Sequence, residues 1–197
     1  VLVVAVGVQP NVRRIPGVAD YCLFMKEIED ARRVRRRVTE CFEQADLPTA
    51  TDDDKDRLLT FVVIGGGPTG CEFCGELSDF VRNDLRKFYP LLAPRVRILL
   101  VQRSRSLLPA FDLELQQTAR ETLEAQGIEV LTSTSVACVG AEFVSLRQGD
   151  QAVEETLPIG LCVWAAGQDG QDIVKALHAQ MPTQRELSDT EAGGDVS

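Results

Sequence analysis

The stretch Phe61-Val62-Val63-Ile64-Gly65-Gly66-Gly67-Pro68-Thr69-Gly70-Cys71-Glu72 constrains the fold of this chain more than any other. A short apolar strand runs into a G-x-G-x-x-G turn. The turn opens a long helix, with Phe73, Leu77, Val81, Leu85 and Phe88 on one face and Pro90 as its stop. Alone, the glycine spacing is a weak signal. In register with strand and helix it predicts a βαβ unit whose turn cradles a pyrophosphate. Gly65 permits the tight turn, Gly67 admits the phosphates without a Cβ in the way, and Gly70 lets the helix pack closely on the strand. The helix N-terminus adds free N–H groups and a partial positive charge. Gly66, Pro68 and Thr69 complete the candidate loop. A glycine-rich turn without a ligand is the competing reading, and the register argues against it.

The rest of the chain extends this unit. Val96–Val101 reads as a second strand. Asp112 caps a helix carrying Leu115, Ala119 and Leu123, Gly127 stops it, and Ile128–Leu131 is a third strand. Three strands joined by two helical crossovers make a doubly wound, Rossmann-like parallel sheet of the α/β class. Val136–Val139, Phe143–Arg147 and Ala152–Leu157 then break the rhythm as an antiparallel β-meander, and Leu161–Ala165 is a last apolar strand ending at Gly167. Upstream, Val1–Val6 reads as a buried strand stopping at Gly7, with a turn at Gln9-Pro10-Asn11. From Met25 to Ala45, Ile28, Ala31, Val34, Val38, Cys41, Phe42 and Ala45 step at helical spacing. Leu47 to Asp56 reads as an exposed linker at a domain boundary, Ser188–Ser197 as a disordered tail.

Composition excludes several classes. With 44% hydrophobic and 26% charged residues in 197, the chain is globular. A formal net charge of −9 argues against nucleic acid, which requires a basic surface. The apolar runs Val1–Val8 and Ile159–Gly167 are too short to span a bilayer. The first residue is not Met and stands inside an apparent strand, so a piece of a longer protein is expected. Arg32, Arg33, Arg35, Arg36 and Arg37 are flanked by acids and read as a solvated helix face. The six cysteines sit mostly among apolar neighbours and read as small hydrophobes in a reducing compartment. One Cys-x-x-Cys and a single distant His178, read as a surface residue, do not make a zinc site, and no metal is expected.

Four further positions carry chemistry. Strand Val96–Val101 ends in Gln102-Arg103-Ser104-Arg105, where an acidic side chain commonly holds the adenosine ribose. Neutral Gln102 does not repel a ribose 2′-phosphate, and Arg103 or Arg105 can pair with one, so NADPH is expected alongside NADH; the alternative leaves both arginines facing solvent. Glu72, in the first turn of the helix, is either a helix-terminal charge or a carboxylate at the nicotinamide end. Cys71 and Cys74 form a redox dithiol only if accessible, and their place in the packing segment speaks against it.

Taken together, Gly65–Leu77, the run Asp84-Leu85-Arg86-Lys87-Phe88-Tyr89-Pro90, the upstream Val3–Gly7, Pro10-Asn11, Ile15–Val18 and Lys26–Arg32, and Val163–Gly167 downstream resemble the type II (alternative, non-proton-pumping) NADH dehydrogenases in the same order. The resemblance covers roughly residues 1–184. It implies FAD and NADH or NADPH as cofactors, a quinone as acceptor, two Rossmann-like domains, and a peripheral place on the mitochondrial inner membrane through parts outside this chain, with a homodimer as one possibility. On that template residues 1–20 are a segment of an FAD domain with Ala5 and Gly7 near the flavin, and 21–57 are helix and linker. Residues 58–170 form the NAD(P)H-binding domain, with Ala166 and Gly167 beside the dinucleotide, and 171–197 are a return segment and tail. Glu72 takes the place of a family carboxylate, to orient the carboxamide or deliver a proton. Gln102 stands where many members carry Glu. The FAD-binding glycine motif is not in the chain, and Gly194-Asp195 follows Gly167 too soon for the later Gly-Asp segment, so the fragment itself is expected to be inactive. Two alternatives are a disulfide reductase using Cys71/Cys74 and a non-catalytic nucleotide-binding module.

Overall fold

The structure, a computed structural model, describes residues 3–12, 15–149 and 154–180. Its elements in chain order begin with β1 (Val8–Pro10), α1 (Val18–Tyr21), β2 (Leu23–Phe24), α2 (Ile28–Ala45) and α3 (Asp52–Leu58). Then come β3 (Thr60–Ile64) and α4 (Pro68–Phe80), which runs through a π-turn at Val81–Leu85 into α5 (Arg86–Phe88). β4 (Arg97–Val101), α6 (Leu113–Ala125), β5 (Ile128–Leu131), β6 (Thr134–Val139), β7 (Phe143–Gln148), β8 (Glu154–Pro158) and β9 (Leu161–Trp164) follow, with β10 (Gln168–Gly170) and α7 (Asp172–Gln180) last. The chain divides into two units, Val12–Gly167, and Val1–Asn11 with Gln168–Ser197.

The larger unit is built on a parallel sheet of order β2-β9-β3-β4-β5. Successive side chains of a strand point to opposite faces, and this sheet is buried on both. Phe61, Val63, Ile98, Leu100, Leu161 and Val163 pack with Val38 and Phe42 of α2, Phe73 and Leu77 of α4 and Leu123 of α6. Val62, Ile64, Leu99, Val101, Cys162 and Trp164 face the other way, onto Val139, Val144 and Leu146 of the antiparallel sheet β6-β7-β8 and onto Val18 and Cys22. The α/β class, the parallel sheet and the meander are as the sequence indicates. The second face is covered by the meander rather than by crossover helices.

In the smaller unit β1 pairs antiparallel with β10, placing Val8 opposite Gly170 and Pro10 opposite Gln168. The expected buried strand at Val1–Val6 is a correction. Among the described residues Val3–Gly7 has no ladder partner, Val3 is 80% exposed, and pairing begins only at Val8, so the expected turn at Gln9–Pro10 is instead strand. Without a neighbour to receive its N–H and C=O groups, an apolar run does not become a strand.

Three helix boundaries also differ from expectation. Leu47–Asp56 is not linker throughout: Thr51 caps α3, its hydroxyl accepting from the Asp54 amide while the Asp54 carboxylate accepts from the Thr51 amide. That capping box stops solvation from melting an otherwise polar segment. Ile28, expected on the buried face of α2, is exposed at its first turn. Phe88 is 76% exposed, and Tyr89 instead packs on Phe42, with ring centroids 5.3 Å apart. The expected tail, Ser188–Ser197, and the start of the third meander strand lie outside the described residues.

Candidate functional site

Strand order reverses at β3: β4 and β5 lie to one side and β9 to the other. In open α/β sheets such a switch point leaves a crevice at the carboxyl ends of the strands, here Ile64, Val101 and Trp164. A cavity of about 740 Å³ lies there, lined by Ile64, Gly65, Val101, Gln102, Trp164 and Ala166 among others. That is the size range of small-molecule sites.

Gly65 is the residue of the glycine loop that lines this cavity, and the glycines of the loop answer different demands. Gly65 has φ +116°, and a Cβ there would meet the Ala165 carbonyl carbon and the Ala166 nitrogen at 2.8 Å. Gly65 donates to the Val101 carbonyl at 2.9 Å, and Ala165 donates to Ile64 at 2.8 Å, so the loop is pinned between both neighbouring strands. A Cβ on Gly70 would stand 1.8 Å from the Gly65 carbonyl oxygen, which is how closely helix and strand approach. Gly66 is hemmed in by Leu107 and Gln102. Gly67 differs from these three: a Cβ there meets nothing within 4 Å. Gly67 is also the N-cap of α4, with no side chain capping the helix and Pro68 in its first turn. Amides at such an end have no intrahelical acceptor and point outward, as an anion requires.

Gln102 is held in place. Its Oε1 accepts from the Gly66 amide at 2.8 Å, and its Nε2 donates to Ser104 Oγ at 2.5 Å, whose hydroxyl donates to the Ser106 carbonyl. The Gly66 N–H is therefore committed to a side chain rather than to a phosphate. Arg103 is exposed at the cavity wall and makes no ion pair among the described residues. Thus Gly65, Gln102, Arg103 and Ala166 meet around one cavity, while Gly66, Gly67, Pro68, Thr69, Gly70 and Glu72 do not line it. Pro68 and Thr69 are exposed on the first turn of α4, and Glu72, expected in that turn, is exposed on the next because the helix begins at Pro68 rather than Cys71. Gly167, with φ +72°, follows Ala166. Ala5 and Gly7 belong to the smaller unit, where both are exposed and Gly7 has φ +73° with open space at its Cβ position.

Several lining residues were not singled out from sequence: Ile15, Ser104, Pro109, Thr134, Ser135 and Trp164. The strand-end rule reaches Ser104 and Trp164, which stand at or just past the ends of β4 and β9. Thr134 and Ser135 come from the meander, whose packing on the sheet no local pattern encodes.

The Cys-x-x-Cys pair lies in the packing. Cys74 is fully buried, and burial pushes its thiol far above the ordinary range. Cys71 donates to the Gly66 carbonyl at 3.7 Å, and its thiol is pushed up to about 11 by burial and then by the Glu72 charge. Neither is a thiolate at neutral pH, which the fast, repeated exchange of a disulfide reductase requires.

The family model described as "Pyridine nucleotide-disulphide oxidoreductase" matches residues 1–190. The chain belongs to that family. Among curated members it is 38% identical over 180 residues to the external alternative NAD(P)H-ubiquinone oxidoreductase B1, mitochondrial, of Solanum tuberosum, covering 91% of this chain and 31% of that protein. It is 39% identical over 175 residues to a probable NADH dehydrogenase of Dictyostelium discoideum, covering 88% of this chain and 38% of that one. Among solved structures it is similar to NDH2 from Plasmodium falciparum in complex with NADH, with TM-score 0.82 and 28% identity over 85% of this chain and 34% of that one. The chain spans about a third of the length of the pyridine nucleotide-disulphide oxidoreductase relatives it matches.

Proposed function

We propose that this chain is the nucleotide-binding core of an FAD-dependent NAD(P)H:quinone oxidoreductase that does not pump protons. The observation that carries the reading is Gly67: its backbone heads an uncapped helix at the switch point, with open space where a side chain would stand. The names of the relatives, NAD(P)H-ubiquinone oxidoreductases, and the NADH complex of NDH2 support it.

On this reading the amides of Gly67, Thr69 and Gly70 hold the pyrophosphate, with Gly65 and Gly66 shaping the loop around it. Gln102 fixes that loop and faces the adenosine ribose. The Arg103 guanidinium pairs with a 2′-phosphate, so NADPH is used as well as NADH. Ala166 and Gly167 let the dinucleotide lie against backbone. The Glu72 carboxylate, one turn into α4, serves the nicotinamide end, where it orients the carboxamide or delivers a proton. Ala5 and Gly7 offer a flavin a close backbone approach, which the open space at Gly7 fits. FAD, when bound, takes the hydride and passes electrons to quinone.

Residues 58–170 are the NAD(P)H-binding domain of this proposal, flanked by FAD-domain segments at 1–20 and 171–197. The whole protein sits peripherally on the mitochondrial inner membrane, in keeping with the relatives named mitochondrial, through parts outside this chain, and its assembly is a homodimer.

Titration of the full-length protein with NADH, followed by nucleotide fluorescence, tests the binding site. Gly67→Ala is expected to weaken binding about tenfold or more, equivalent to about 1.4 kcal/mol, because the new Cβ enters the phosphate space. Unchanged affinity contradicts the site.

A further inference from the structure

Away from the dinucleotide cavity the structure brings two cysteines together from sequence positions 140 residues apart. Cys22 immediately precedes β2 and Cys162 lies in β9, and both come just before the paired Leu23 and Val163. Their sulfurs stand 3.4 Å apart, with the Cys22 thiol donating to Cys162 Sγ. Neighbouring strands of a parallel ladder hold their Cα atoms at about 4.8 Å, within the roughly 4.4–6.8 Å that a disulfide spans. Neither thiol is cross-linked, and neither has a role in the site described above.

The pair is flanked by two surface depressions. Cys162 lines one of about 370 Å³, with Tyr21, Arg33, Arg36 and Arg37, and Cys22 lines a smaller one, with Phe24, Asp30 and Arg33. Both depressions reach the residues of the pair, which are 7% and 2% exposed.

We propose that Cys22 and Cys162 are a modification site: a reversible disulfide that a hydroperoxide closes and thiols reopen. Cys22, 7% exposed against 2% for Cys162, reacts first. Its sulfur attacks the outer peroxide oxygen, the O–O bond breaks, and an alcohol (water, for hydrogen peroxide) leaves with the Cys22 proton, giving the sulfenic acid. Cys162 Sγ then attacks that sulfur; the S–S bond forms, the S–O bond breaks, and hydroxide leaves as water with the Cys162 proton. Two thiols lose two protons and two electrons, and the peroxide gains them. Two equivalents of an external thiol reverse the change by exchange. The hydrogen bond shared with Cys22, then burial, hold the Cys162 thiol well above the ordinary range, so the pair reacts slowly with peroxide and closes only once a sulfenic acid has formed at Cys22. The bond ties edge strand β2 to β9, whose end at Trp164 lines the dinucleotide cavity.

The test is peptide mapping of the full chain after native treatment with hydrogen peroxide and alkylation of the remaining thiols. The expected product is a Cys22–Cys162 linked peptide pair, two hydrogens lighter than the reduced pair and returned to free thiols by dithiothreitol. Because the link closes a long loop, the oxidised protein is expected to melt roughly 5 °C or more higher than the reduced one. Cys162→Ala should instead leave Cys22 as a sulfenic or sulfinic acid. Wild-type protein in which Cys22 and Cys162 stay reduced while Cys71 or Cys138 reacts overturns the proposal. So does Cys22 sulfinic acid with Cys162 still free. Neither result depends on a variant folding.

Discussion

Gly67 and Gly70 stand three residues apart in one motif, yet the same substitution acts on them through opposite quantities. A methyl group on Gly70 points at the Gly65 carbonyl oxygen at 1.8 Å, and backbone cannot yield there. Gly70→Ala is therefore expected to destabilise the fold by about 3 kcal/mol or more, read as a lower urea midpoint, through the overpacking it forces. Gly67→Ala meets nothing, so its cost is limited to a weaker N-cap, about 1 kcal/mol, while its effect falls on nucleotide affinity. Gln102 gives a second prediction at this scale. A carboxylate in its place still accepts from the Gly66 amide and now also from the Ser104 hydroxyl, so Gln102→Glu keeps the loop. On the proposed placement of Gln102 the added negative charge faces the ribose, and the ratio of kcat/KM for NADPH to that for NADH is expected to fall tenfold or more; an unchanged ratio excludes Gln102 from nucleotide choice. The glycine motif was legible in the sequence because its three positions answer local steric demands. Gln102 was legible as a position, but its bonds to Gly66 and Ser104 were not, because they depend on how β3 and β4 align.

α3 shows at the element scale why a charged run is easily taken for linker. Asp52-Asp53-Asp54 lacks apolar periodicity, but three acids in the first turn of a helix complement its dipole, and Thr51 closes the capping box. Arg95 adds a tie from outside the helix, donating to the carboxylates of Asp52 and Asp56. Thr51→Ala is expected to cost about 1 kcal/mol of stability in urea. The hydrogen bonds from Thr51 hold the Asp54 carboxyl below its ordinary range, so the folded state binds a proton less readily than the unfolded one. Its contribution is therefore present at neutral pH and lost as pH falls through the depressed value. In an acid titration Thr51→Ala should differ most from wild type at neutral pH, the gap narrowing at low pH to the cost of the lost hydroxyl cap alone; a constant gap rules the linkage out. The π-turn after α4 has a similar lesson. Phe73, Leu77, Val81 and Leu85 recur every four residues, which outruns the 3.6-residue period by about 40° at each step. The wider turn at Val81–Leu85 takes up that drift and keeps Val81 and Leu85 buried, while Phe88 is carried out to solvent. The sequence pattern marks the apolar face, but which neighbouring residue ends on it depends on that one turn.

For the molecule as a whole, what decides function is the joining of elements far apart in the chain: β3, β4 and β9 supply the strand ends, and the meander supplies Thr134 and Ser135. The order of strands and helices was readable because parallel crossovers and hairpins have different periodicities and turns. The exposed Val3–Gly7 run was not, because whether a valine-rich run becomes strand depends on a partner outside its own sequence. The chain spans about a third of the length of its curated relatives, so the proposed quinone reduction is an activity of the full-length protein. Its most direct test is steady-state oxidation of NADH by purified, FAD-loaded full-length protein with a soluble ubiquinone analogue as acceptor. Quinone-dependent turnover is expected, reduced tenfold or more by Gly67→Ala through KM with the flavin spectrum unchanged. A flavin-loaded wild-type protein that oxidises NADH no faster with quinone than without it is not a quinone reductase.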